Sequence, residues 1–201
     1  MIDIAKTEEN GRVKNRGKLF IISGPSGVGK DTLIKNIVGS LPDVYLSVSY
    51  TTRLPRNNEV PDKDYKFVSD EFFKKEVEQG NMLEYATYCT VCYGTPKKPV
   101  EDCINSGKSV ILKIERDGME KVRRIYPDAI TIFLMPPSLD ELCRRITERK
   151  TDSDSAIQKR LLRAAEEIRL SADYMYKIIN DDEAKASEEL TNIIKSHMGR
   201  N

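Results

Sequence analysis

The sequence predicts an α/β fold in three layers, with a parallel central sheet between helices, and three observations carry that reading. Continuous apolar runs at 18–23, 110–114, 129–134 and 177–179 have the unbroken hydrophobic character of strands buried on both faces. Stretches with helical spacing separate each run from the next, the order expected of crossovers between parallel strands. A glycine-rich turn, Gly24-Pro25-Ser26-Gly27-Val28-Gly29-Lys30, joins the first run to a helical one.

The first run, KLFIIS, reads as a short buried strand, and after the turn Leu33, Ile34, Ile37 and Val38 recur at helical spacing. Gly39 is expected to cap that helix at its C-terminus. Ser138-Leu139-Asp140-Glu141 is a capping box just after Pro136-Pro137, where the preceding strand must stop. It opens a helix expected to run to about 149. A second long helix is expected over 155–170, with the polar segment 150–155 between the two suited to a lid. The last helix, 183–196, puts Leu190, Ile193 and Ile194 on one face.

Residues 50–99 break the alternation. They hold four of the nine prolines (Pro55, Pro61, Pro96 and Pro99), a β-like run at 65–68 and one helix after Ser69. They read as an insertion. Ligands in such sheets bind beyond the carboxyl ends of the strands, so an insertion leaving the second strand there is well placed to cover the site.

At 201 residues the chain suits one domain, or one domain with inserted lobes, since roughly 150 residues per domain is only a soft prior. Lys plus Arg number 33 against 32 for Asp plus Glu, a net charge of +1. The positive field of a dedicated nucleic-acid binder is missing, so any anion must be met by a local cluster. No apolar run approaches the ~20 residues of a membrane span. Residues 1–17 are polar, lack the ~7–15-residue apolar stretch of a signal peptide, and are expected to form a flexible leader on a cytoplasmic protein. The four cysteines are expected to be reduced thiols. Cys89 and Cys92 would need two more ligands to hold zinc, whereas Cys103 and Cys143 are isolated and His197 is the only histidine.

The turn 24–30 lies between a strand and a helix, the context that makes a phosphate-binding loop. Its glycines let successive backbone N–H groups converge on a phosphate, the helix N-terminus adds a favourable dipole, and Lys30 can bridge neighbouring phosphate oxygens. Asp31 stands where Ser or Thr ordinarily ligates Mg²⁺, with Thr32 next. A carboxylate in the first helical turn suits the dipole but repels phosphates unless a cation intervenes, so Asp31 reads either as a solvent-facing charge or as a group at a metal. Arg53 and Arg56, three apart and stiffened by Pro55, suit one phosphate. Tyr65, Glu84, Tyr93 and Thr95 add hydroxyls and a carboxylate to the same insertion. Arg145 and Arg149 share one helix face and, with Arg160, flank the polar segment.

From about residue 18 to 197 the chain resembles guanylate kinase. GPSGVGK, S-x-S-x-TTR-x-PR, DYxFVS, LEYA, YGT, PPS and INDD all occur in family order. The resemblance implies a P-loop NTPase fold, with an inserted nucleoside monophosphate-binding lobe (50–99), a core (18–49 and 100–201) and a helical lid at about 145–160. It implies transfer of the γ-phosphate of ATP to GMP or dGMP, with Mg²⁺ accompanying ATP. By motif, Gly24, Pro25, Ser26, Gly27, Val28, Gly29, Lys30, Asp31 and Thr32 look like the ATP site. Ser49, Glu84, Thr95 and Glu115 look like guanine contacts, and Arg53, Arg56, Tyr65 and Tyr93 like contacts to the GMP phosphate. Lys30, Arg145, Arg149 and Arg160 look like the catalytic cations. No nucleic-acid or membrane partner is implied, and the oligomeric state stays open.

Independently of the resemblance, guanine presents N1–H and a 2-amino group as adjacent donors that one carboxylate can accept, and adenine has no such pair. The chain also departs from the family. Where the family pattern on the central strand is acidic-x-acidic-x-Q-G, this chain has Lys113-Ile114-Glu115-Arg116-Asp117-Gly118, so Lys113 reverses the first charge. Lys150 replaces a glycine at the start of the lid. Asp31 and Lys113 both lie beside the phosphate loop, where an ion pair between them would offset the reversed charges. Two other readings are a ribose 1,5-bisphosphate phosphokinase-like enzyme, which shares the GKDT form of the loop, and a non-catalytic guanylate kinase-like binding module. TTRLPR, LEYA and YGT argue against the first, and the intact loop against the second.

Overall fold

Five residues in a row, LFIIS, form strand β1 (Leu19–Ser23), buried at every position. The strand is the centre of a five-stranded parallel sheet whose order is β2 (Val44–Leu46), β7 (Ser109–Lys113), β1, β8 (Ile130–Met135) and β9 (Tyr176–Ile179). The computed structural model describes residues 16–57, 59–88, 90–148 and 154–199. Most of the leader assigned to 1–17, Cys89, Arg149, Lys150 and the lid positions 151–153 lie outside the described residues.

Successive strand side chains point to opposite faces, and β1 uses both. Phe20 and Ile22 pack with Leu33, Ile34 and Ile37 of α1 (Lys30–Ser40) and with Ala186, Leu190 and Ile194 of α7 (Glu183–His197). Leu19 and Ile21 pack on the other side with Val100 and Ile104 of α3 (Lys97–Asn105) and with Met119 and Val122 of α4 (Arg116–Ile125). Two apolar clusters around one parallel sheet are the three layers. Each fully buried Leu or Ile contributes about 1.5–3 kcal/mol over leaving it exposed, so the all-apolar β1 anchors the sheet.

Residues 50–96 build a second sheet in the order β4 (Lys66–Phe67), β3 (Tyr50–Thr51), β6 (Val91–Pro96) and β5 (Met82–Tyr88). It is mixed, since β3 runs parallel to β4 and antiparallel to β6. Helix α2 (Asp70–Glu78) starts on Ser69, whose hydroxyl accepts the Phe72 N–H at 3.2 Å. Buried Phe73 packs beneath Gly94, where a Cβ would stand 3.1 Å from its ring.

Several boundaries differ from the sequence expectation. Gly39 does not cap α1, which runs through Ser40 and is closed by the Leu41 N–H on the Ile37 carbonyl at 2.9 Å. Leu41 is drawn into the core, and Pro42 then prevents continuation. β7 starts one residue early because the Ser109 hydroxyl accepts the Lys18 N–H at 3.1 Å, and it ends early because the Ile114 carbonyl is taken by the Ser23 hydroxyl at 2.6 Å. The capping box holds, with the Ser138 hydroxyl accepting from the Glu141 N–H at 3.0 Å, but α5 spans Leu139–Thr147 and stops short of 149. α6 spans Asp154–Arg169 and passes into a 3₁₀ turn, Leu170–Asp173. Cys92, Cys103 and Cys143 are free thiols. Among the described residues no helix is long and apolar enough to cross a membrane, and no cluster of three or more His, Cys, Asp or Glu is placed to hold a metal ion.

Candidate active site

β1 ends at Ser23 and α1 begins at Lys30, so residues 24–29 turn the chain at the carboxyl edge of the sheet. Gly24 has φ +149°, and a Cβ there would run into the Leu134 carbonyl. Gly29 has φ +98°, and its Cβ would stand 2.5 Å from Asn180 Nδ2. Both positions require glycine. Asn180 is the anchor: its Nδ2 donates to the Val28 carbonyl at 2.7 Å, its N–H to the Met135 carbonyl at 2.8 Å, and its own carbonyl accepts Arg145 Nη1 at 3.0 Å. No side chain caps α1, which leaves its first N–H groups turned to the loop as an anion site.

Lys30 is half-buried as a residue, but its ammonium turns inward and donates to the carbonyls of Gly24 and Pro25, the latter at 3.0 Å. Burial lowers its pKa to about 8, with Glu167 and Asp31 pulling it partly back. Arg160 Nη2 donates to the Ser26 hydroxyl at 3.0 Å, which brings α6 onto the loop. Arg145 also holds Glu141 at 2.8 Å and lines a polar cleft of ≈ 410 Å³ with Gly27, Gly29, Asn180, Asp181 and Glu183.

Lys113, at the carboxyl end of β7, places Nζ 2.6 Å from Asp31 Oδ1 and 5.8 Å from the centre of the Tyr65 ring. The two departures from the family pattern therefore form an ion pair with each other, and Lys113 stands between the phosphate loop and the insertion. Burial pulls its ammonium down, but Asp31, Tyr65 and Asp64 together raise it above the ordinary value. Thr32 is exposed on the next position of α1.

In the insertion, Glu84 and Thr95 face each other across β5 and β6, and the Thr95 hydroxyl donates to Glu84 Oε1 at 2.6 Å. Glu84 is 8% exposed, and burial raises its pKa against the lowering effect of Thr95. Gly118 abuts it, since a Cβ there would stand 2.8 Å from Glu84 Oε2. Arg53 donates through Nε to the Tyr93 hydroxyl at 3.2 Å and lies 5.1 Å over the Tyr65 ring, so these three form one cluster. Arg56 lies on the exposed turn beyond, and half-buried Ser49 holds β4 through its carbonyl, which accepts the Lys66 N–H at 2.9 Å.

Glu115 is not beside Glu84 in a shared hydrogen bond. It is engaged by the Tyr88 hydroxyl of β5 and by Arg163 of α6, whose guanidinium lies 4.9 Å over the Tyr88 ring and also holds Glu167 at 3.0 Å. Asn180, Gly118, Tyr88, Arg163 and Glu167 escaped the residue-level reading. INDD and the Gly118 run were visible in the sequence, but nothing local marks Tyr88, Arg163 or Glu167.

A parallel sheet whose first strand runs into an anion-binding glycine loop, with a lysine and arginines turned onto that loop, defines a P-loop phosphotransferase. The family model described as guanylate kinase matches residues 16–197. A guanylate kinase of Rubrobacter xylanophilus is 46% identical over 180 residues, 90% of this chain and 94% of the relative. One of Lactiplantibacillus plantarum is 47% identical over 182 residues, covering 90% and 88%. The crystal structure of guanylate kinase from Anaplasma phagocytophilum superposes with a TM-score of 0.74 at 32% identity, covering 94% of this chain and 89% of that one. The chain belongs to the guanylate kinase family.

Proposed function

We propose that this protein transfers the γ-phosphate of ATP to GMP or dGMP, giving ADP and GDP or dGDP, in cytoplasmic purine nucleotide metabolism. The observation that carries the choice of acceptor is the buried Glu84 carboxylate paired with Thr95. Ionised, it accepts both guanine donors, N1–H and the 2-amino group, while Thr95, Ser49 and Glu115 complete the guanine contacts. Arg53, Arg56, Tyr65 and Tyr93 hold the acceptor phosphate. On the donor side the loop 24–29 cradles the ATP phosphates, Lys30 bridges the β- and γ-phosphates, and Asp31 and Thr32 border them. Arg145, Arg149 and Arg160 meet the charge spread over the equatorial oxygens of the transferring group. An oxygen of the GMP phosphate attacks the γ-phosphorus, and the bond to the β,γ-bridging oxygen breaks, leaving ADP. No general base is needed, because the acceptor phosphate is already largely ionised near neutral pH.

The described residues form no resident cation cage, and Asp31 Oδ1 is taken by Lys113. That donor set suits Mg²⁺ carried by ATP phosphates and water rather than by a protein site. Bound that way, the ion would neutralise charge developing on the phosphates.

A coupled ADP-release assay tests the acceptor. GMP and dGMP should turn over, while AMP, UMP and ribose 1,5-bisphosphate should not. Glu84→Gln should raise KM for GMP by at least about tenfold, because an amide accepts only one of the two donors. Equal rates with AMP and GMP would sink the assignment.

A further inference from the structure

β3 ends at Thr51, and the bend that follows carries Arg53 and then Arg56 into the exposed turn. Glu59 lays its carboxylate along the Arg53 guanidinium, with Nη1 and Nη2 each donating to its own carboxylate oxygen at 2.6 Å. The same carboxylate accepts the Arg56 N–H at 2.9 Å, and the Glu59 N–H returns to the Arg56 carbonyl at 3.0 Å. One side chain therefore closes the turn that carries both arginines. Leu54, between the two arginines, is 85% exposed and adds no core packing to the turn.

A guanidinium has five N–H donors. On Arg53, Nε goes to Tyr93, one Nη1 hydrogen to Glu59 and the other to the Leu54 carbonyl at 3.0 Å, and one Nη2 hydrogen to Glu59. Among the described residues this leaves a single Nη2 hydrogen for a ligand. Tyr65 and Phe67 lie 5.1 and 5.7 Å from the guanidinium carbon and restrict its tilt. The Arg53 and Glu59 side chains are only 15% and 14% exposed, so the pair is bidentate and largely dry, unlike the exposed pairs that contribute little.

We propose that Glu59 is a positioning residue for the acceptor phosphate: it fixes the Arg53 guanidinium and the Arg56 backbone so that both arginines meet one phosphate. The proposal rests on the reading of Arg53 and Arg56 as phosphate contacts. The opposite role, an internal competitor that the phosphate must displace from Arg53, has a physical objection. Displacement would strip a largely buried carboxylate of both hydrogen bonds from Arg53 and of its nearest counter-charge. The free Nη2 hydrogen and the Arg56 side chain can serve a phosphate without it. The Arg53 hydrogen bonds hold the Glu59 carboxyl down to about 2, so it stays ionised at any working pH.

Steady-state kinetics on Glu59→Gln, Glu59→Ala, Arg53→Ala and the double variant Arg53→Ala/Glu59→Gln test the proposal. Glu59→Gln should raise KM for GMP about tenfold, with kcat within about twofold, because the loss is in holding the acceptor. KM for ATP should be unchanged, which also reports an intact fold. Inhibition by guanosine, which has no phosphate, should be unchanged as well. A general disturbance of the insertion would weaken it. The double variant should behave like Arg53→Ala alone, since Glu59 acts mainly through that arginine. A KM for GMP that is unchanged or lower in Glu59→Gln, while Arg53→Ala raises it, overturns the positioning role alone. If Arg53→Ala leaves KM for GMP unaltered, the phosphate-site reading fails and takes the proposal with it. Should Glu59→Ala fail to fold, the isosteric Gln variant still decides.

Discussion

The Lys30 ammonium faces the Gly24 and Pro25 carbonyls, and burial lowers its pKa from 10.5 to about 8. Between those two values the unfolded chain binds more protons at this position than the native one. Lys30 therefore costs stability below about pH 8, and that cost is relieved as pH rises toward its unfolded value. A triphosphate brought to the loop reverses the balance, since its charge favours the ammonium. ATP binding at about pH 9 should therefore take up close to one proton, read by calorimetry in buffers of different ionisation enthalpy. Lys30→Met should abolish the uptake and lower kcat by orders of magnitude. Uptake that persists in the variant would place the titrating group elsewhere. Lys30 was legible from seven consecutive residues, whereas Asn180, which locks the same loop, lies 152 residues from the carbonyl it holds.

Between elements, the Asp31–Lys113 pair ties the first turn of α1 to the end of β7. A carboxylate ~4 Å from a phosphate charge is repelled by about 4 kcal/mol at an effective dielectric of ~20, so position 31 requires a nearby cation. Read from the sequence, the place of position 31 in the loop favours Mg²⁺ over Lys113 as that cation. Sheet register brings the lysine to that position: β1 and β7 are adjacent, with Ile22 opposite Lys113, so the end of β7 falls beside the start of the loop. Lys113→Asp alone should lower kcat/KM, and adding Asp31→Ser should restore much of the loss. The coupling in a double-mutant cycle should exceed ~1 kcal/mol. Additive effects would mean that the two charges act separately. The Gly39 cap failed at this same scale, because packing of Leu41 outweighed the local preference of glycine.

At the scale of the whole molecule, contacts already cross between the insertion, the core and α6. Tyr88 and Arg163 meet on Glu115, and Arg160 reaches Ser26. Two substrates entering from the sheet and from the insertion should draw these parts closer and exclude water that would otherwise hydrolyse ATP. Small-angle scattering should show a smaller radius of gyration on saturation with a bisubstrate analogue joining ATP and GMP. An unchanged radius would count against closure of residues 50–99 on the core.

Features that depend on near neighbours in the chain follow from the order of residues alone. Apolar runs specified buried strands, the glycine spacing and Lys30 specified the loop, Ser138 and Glu141 specified a helix start, and motif order specified the family. Which charges meet is set by the packing of the layers. That Lys113 neutralises Asp31, that Asn180 locks Val28 and Gly29, and that Glu115 joins Tyr88 and Arg163 follow from strand order and from α6 lying against the loop and the end of β7. A charged side chain carries no local mark of its partner, because ion pairs and long-range hydrogen bonds impose no period on the chain. Their partners are fixed only when burial of the two apolar clusters has set the layers in register.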